Sequence, residues 1–106
     1  MVEKQIAYTL SQEKVIEKLI EDDNVAINHM ILRNSEALPL HHANSNVYMI
    51  VVRGEVTLSL DEQEAHAYPA GSIVLIPYQT RMDVSNRGEA ILELFVVKAP
   101  SPKHMN

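Results

Sequence analysis

Imidazole titrates near neutral pH and, when neutral, binds metal ions, so the five histidines are the side chains best suited to chemistry here. They are His29, His41, His42, His66 and His104. His41 and His42 are adjacent. Adjacent residues on a regular strand point to opposite faces, so both reach one ion only where the chain bulges. His29 could approach the same interior from a neighbouring strand. A set of His29, one of His41 or His42, and a side-chain oxygen of Asn44 or Asn46 is the conceivable donor group. His66 precedes a turn and reads as surface, and His104 lies in the tail with no assigned role. The absence of cysteine excludes disulfides, thiolate metal sites and cysteine nucleophiles. No serine, histidine and acid arrangement is evident, nor an inward pair of carboxylates. General acid or base work by an imidazole of the His41-His42 pair is open to this chain.

The elements that must position these residues are short strands. Turn signals recur at Asp22-Asp23-Asn24, Asn34-Ser35, Arg53-Gly54, Asp61 to Glu64, Pro69-Ala70-Gly71, Pro77-Tyr78-Gln79 and Asn86-Arg87-Gly88. Between them lie segments rich in Val, Ile, Leu and Tyr, at the spacing of a sandwich or barrel. Val56-Thr57-Leu58-Ser59-Leu60 alternates strictly, as a strand with one buried face does. Val47 to Val52 and Ile73 to Ile76 are continuous apolar runs, expected of strands covered on both faces. The stretch from Ser11 to Ile20 admits two readings. Val15, Ile16, Leu19 and Ile20 have helical spacing after a Thr9 and Gln12 that resemble a capping box, yet the stretch runs into a turn and a strand. We read it as a strand or one short helical turn. Residues 99–106 carry two prolines and are expected to be an extended or frayed end. The chain of 106 residues is expected to form one domain, 1–106.

The segment from Pro39 to Asn86 resembles a cupin. That family's first motif carries two histidines one residue apart, then a glutamate, six residues and a glycine. Here Pro39-Leu40-His41-His42 leads to Gly54, followed by the alternating strand. In the second motif a glycine is followed five residues later by a proline. Here those are Gly71 and Pro77, and the frame ends at Asn86. The resemblance implies an all-β fold, a small single-domain double-stranded β-helix (jelly-roll barrel) of the cupin 2 conserved-barrel type. Its motifs span about residues 39–55 and 71–86.

In metal-binding cupins three imidazoles and a carboxylate hold iron, manganese, nickel or zinc, leaving open positions for substrate or oxygen. Carried over, the glutamate position falls on Val47. The two histidine positions fall on Leu40 and His42, or with a shorter gap on His41 and Ala43. Gln79 stands at the second motif's glycine and Met82 at its histidine. The resemblance thus implies a degenerate metal site and no cofactor, with His42, His41 and His29 the fallback ligands for Fe, Mn, Ni or Zn. On this frame Leu40, Val47 and Met82 point inward, as do Met49 and Val51. With His42 at the mouth they outline an apolar pocket suited to an apolar or aromatic small molecule. The same side chains could equally fill the barrel.

A net charge of −5 and a pI near 5.4 argue against nucleic acid and against an anionic membrane surface. The longest apolar run, Val47 to Val52, is too short to span a bilayer, and the charged N-terminus has no signal-peptide run, so a cytoplasmic location is expected. Tyr48, Ile50 and Val52 form a second apolar face that needs cover from the N-terminal segment or another subunit. Because cupins commonly pair through such faces, the resemblance implies a homodimer. The expected function is metal-independent: binding a small molecule, or serving as a dimeric binding module without turnover. The alternative is an enzyme, either a metal-dependent oxygenase or isomerase with a non-standard ligand set or a metal-free isomerase or cyclase, using His42.

Overall fold

A computed structural model describes residues 1–105. In chain order the strands are β1 (Val15–Glu21), β2 (Ala26–Leu32), β3 (His41–His42), β4 (Val47–Arg53), β5 (Glu55–Leu60), β6 (His66–Pro69), β7 (Ile73–Ile76), β8 (Arg81–Ser85) and β9 (Leu92–Lys98). Among the described residues the one helical element is a 3-10 turn at Pro102–His104, and no helix is long and apolar enough to cross a membrane. Two antiparallel sheets pack face to face, one ordered β1-β2-β9-β4-β7 and the other β3-β8-β5-β6. The chain is an all-β double-stranded β-helix.

The core lies between the sheets and follows from the two-residue period. Val47, Met49 and Val51 of β4, Leu92, Leu94 and Val96 of β9, and Val56 and Leu58 of β5 are all buried. Turn chemistry shapes the corners. Gly54, Gly71, Ser35, Asp61 and Gln79 have positive φ, each within a segment rich in turn-forming residues. At Gly54 a Cβ would run into the carbonyl of Ile91. Only glycine lets the β4–β5 hairpin pass so close to the start of β9. Asn86 is fully buried and fully used: its Nδ2 donates to Leu32 O and Ala90 O, both at 2.9 Å, and its Oδ1 accepts from Gly88 N at 3.0 Å. The two motif residues therefore work as joints of the barrel.

Three expectations about elements are corrected or resolved. The 11–20 stretch forms a strand, because Val15 to Glu21 pairs with β2 and packs one face inward. Thr9 caps no helix. The tail is tied down rather than frayed: Ser45 Oγ donates to Pro100 O at 2.5 Å, Ser101 is buried, and Lys103 Nζ meets Asp23 Oδ1 at 2.8 Å. Asn106 lies outside the described residues. The run Val47 to Val52 is covered on one face alone, since Tyr48 and Val52 are exposed.

The outer face of the larger sheet is partly covered by the N-terminal arm, residues 1–14. Its clasp is a row of charges. His29 is completely buried on this face, with Nδ1 at 2.7 Å from Glu17 Oε2 and Nε2 at 2.6 Å from Glu93 Oε2. Both ring nitrogens are thus engaged, one on each edge of the imidazole. Arg53 Nε lies 3.2 Å from Glu93 Oε1, and Arg53 Nη2 donates to Ser11 O on the arm. From the arm, Thr9 donates to Glu17 through its N and its Oγ1, both at 2.9 Å. Tyr8 caps the cluster, its ring 4.8 Å from His29 and edge-on to Phe95 at 5.0 Å.

Two predictions follow from these joints. Gly54→Ala should cost more than about 1 kcal/mol, because a side chain is placed at positive φ against backbone, whereas Gln79→Gly should leave the thermal midpoint unchanged or higher. Denaturant unfolding of both variants checks this. The Glu17 carboxyl is held below its ordinary value, first by the Thr9 backbone N–H and then by His29. A depressed folded value means its contribution is full above the usual carboxylate range and is lost as pH falls through that depressed value. Protection of the Thr9 amide from hydrogen exchange should thus hold at neutral pH and fade in acid. Glu17→Gln should lower it at neutral pH while leaving exchange in β4 and β9 unchanged.

Candidate functional site

The barrel opens at the end where β3 meets β8. His41 pairs with Met82 across these strands, and His42 pairs with Arg81. Cross-strand partners share a face. Met82 is buried, so His41 takes the inner side and His42 the outer. The expectation that His42 enters the barrel is therefore corrected. Register decides between the two histidines, and the sequence alone left that register open by one residue. Leu40 is corrected as well. At 63% exposure it lies outside the interior, because it precedes the first paired residue and no ladder turns it inward. Val47, Met49, Val51 and Met82 do face the interior and are buried.

The space left inside is small. A cavity of about 30 Å³ has a floor of Met30, Met49, Met82, Val47, Val84 and Val96. At its mouth stand Asn28, His41, Asn44 and Lys98. His41 Nδ1 donates to Pro39 O at 2.8 Å, which fixes the ring and leaves Nε2 free. That is room for one or two water molecules, against ~300–1,000 Å³ for sites that enclose drug-sized ligands. Most of the barrel is packed side chain. Asn28 and Lys98 were missed in the sequence. Their inward setting depends on β2 and β9 pairing in register, where Asn28 lies opposite Val96, and Lys98 lies between Ala26 and Val47.

The fallback metal set is not brought together. His29 lies on the far side of its sheet within the arm clasp, and His42 faces outward. Among the described residues no three His, Asp or Glu side chains converge in a way that could hold an ion. Glu17 and Glu93 cannot join His29 around one metal, because they occupy opposite edges of its ring. The divalent ion held by metal-binding cupins does not fit these residues. One imidazole faces in, Val47 and Met82 carry no oxygen or nitrogen donor, and the Asn28 and Asn44 amides at the mouth supply no second imidazole and no carboxylate.

No family model matches the sequence. An uncharacterized protein of Methanocaldococcus jannaschii is 44% identical over 107 residues, across 100% of this chain and 92% of the relative. A crystal structure from that organism, described as an RmlC-like cupin family protein with a double-stranded β-helix fold, superposes with a TM-score of 0.94 at 44% identity. It covers 97% of this chain and 95% of that one. A cupin superfamily protein of Desulfitobacterium hafniense shares the fold at 12% identity, with a TM-score of 0.73 over 88% of this chain and 83% of its own. A cupin-like protein of Thermotoga maritima does so at 16%, with a TM-score of 0.74 over 80% and 67%. With the barrel topology, the motif joints at Gly54 and Asn86 and the full-length identity taken together, the chain belongs to the RmlC-like cupin family.

Proposed function

We propose that this cupin is a homodimeric binding module without turnover of its own. The observation that carries the reading is the outer face of β4 and β7. Tyr48 pairs with Leu75, and Ile50 with Ile73. Leu75 is 65% exposed, Ile73 62%, Val52 45% and Tyr48 38%. The arm covers the sheet on the β1, β2 and β9 side and leaves this corner open. β7 is also a sheet edge, so one side of its backbone has no partner strand.

A second copy is the occupant that fits. The patch carries no charge, so two chains of net charge −5 can meet there without opposing like charges at the contact. A two-fold axis beside β7 would lay two such edges antiparallel and bury both apolar rows, as an isologous interface does. An open groove of about 210 Å³, bordered by Tyr48, Leu75 and Pro77, extends the same surface. Absence of turnover is supported by the barrel's single inward imidazole, which has no acid beside it, and by its nearly filled core. The enzymatic alternative rested on His42, whose outward setting lends it no support.

Sedimentation of the purified chain tests the reading. The parent should sediment as a dimer. Leu75→Glu and Tyr48→Glu should each yield monomer with an unchanged circular dichroism spectrum, because each places a like charge twice across the axis. A monomeric parent, or charged variants that remain dimeric, would overturn it.

A further inference from the structure

The four polar side chains at the barrel mouth share a chemistry. Asn28, Asn44 and Lys98 border the cavity together with His41, and no Asp or Glu borders it. Among the described residues the side chains of Asn28, Asn44 and Lys98 hold no hydrogen bond or ion pair. Together they offer two carboxamide N–H₂ groups and an ammonium, with Nε2 of His41 as a further donor when that ring is protonated. Lys98 is the telling member. Its neighbours across the ladder, Ala26 and Val47, are both buried, so its side chain takes the inner face of the sheet. Burial pushes its ammonium below the ordinary value, nearby Lys18 adds to the depression, and Glu21 partly opposes it. A partly desolvated cation with an opposite charge acting only at a distance and no ion pair is unfavourable, and the usual remedy is an anion.

We propose that the barrel mouth binds a small carboxylate with a short alkyl end. The carboxylate oxygens meet Lys98, Asn28 and Asn44, and the alkyl end enters the cavity above Met30, Met49 and Met82. Size sets the class. About 30 Å³ admits a methyl or methylene group and excludes an aromatic ring. Flexible thioethers let the floor adjust to one carbon more or fewer. This departs from the apolar or aromatic ligand expected from the sequence: the acid is held by charge at one end and by dispersion at the other. Because the mouth and the β4–β7 patch are formed by different side chains, this proposal stands whether or not the chain dimerises.

Titration with propionate and with propionamide at constant ionic strength, followed by NMR, separates the possibilities. Propionate should give saturable shifts at the backbone amides of residues 28, 44 and 96–98, and propionamide should bind at least tenfold more weakly. Lys98→Met should weaken propionate at least tenfold. If that variant fails to fold, Asn44→Leu at an exposed position should weaken it severalfold. The proposal is overturned if propionamide binds as tightly as propionate, if shifts scatter over the surface without saturating, or if chloride displaces propionate at equal concentration. The last result would mark an unspecific anion site.

Discussion

The pleat of β9 constrains the rest of the molecule. This strand lies at the centre of the larger sheet, between β2 and β4, and its side chains alternate without a break. Leu92, Leu94 and Val96 go inward to the core, and Lys98 continues that row to the mouth. Glu93, Phe95 and Val97 go outward. Glu93 then ties His29 and Arg53, Phe95 supports Tyr8, and Val97 lies beside Tyr48. A slip of one residue would place Glu93 in the core and Leu94 in solvent. One register thus fixes core, mouth, arm clasp and outer patch together.

The two faces of that sheet handle polarity in different ways. On the outer face a buried imidazole is matched on both edges by carboxylates; Glu17 also accepts from Thr9, and Glu93 is ion-paired with Arg53. Breaking one partner of such a set costs more than the set contributes, because it leaves a buried polar group without a hydrogen-bond partner. The clasp therefore sets where the arm lies more than how stable the barrel is. At the mouth the reverse holds. Lys98 and the two asparagines keep unused donors, which the surrounding protein does not satisfy. Unmatched polarity in a partly dry place is where a fold retains capacity to bind.

The joints of the barrel and its inner surface are built from different kinds of residue. Gly54 permits the close approach to Ile91, and Asn86 pins the β8–β9 turn to β2. Gln79 has positive φ, a conformation that favours glycine. Its N–H donates to Ala43 O at 2.8 Å, which holds β3 in place despite the strained backbone. The positions that the motif resemblance assigns to metal ligands carry Val47 and Met82. With their neighbours these side chains leave a cavity of about 30 Å³.

Read alone, the sequence determined the fold class, the turn positions and most of the core. Alternation, turn residues and motif spacing are local signals, and they name Val47, Met49, Val51 and Met82 as inward residues. It also identified Tyr48, Ile50 and Val52 as a face in need of cover. Tertiary structure decided which histidine faces in. The side-chain period of a strand is two, and only the pairing of His41 with Met82 sets its phase. It decided that Leu40 stays outside the ladder and that His29 belongs to an ion cluster built from β1, β2, β9 and the arm. It decided, finally, that Lys98 and Asn28 share a mouth with His41. These residues lie far apart in the chain, and no local pattern encodes a meeting made by three separate strands closing one barrel.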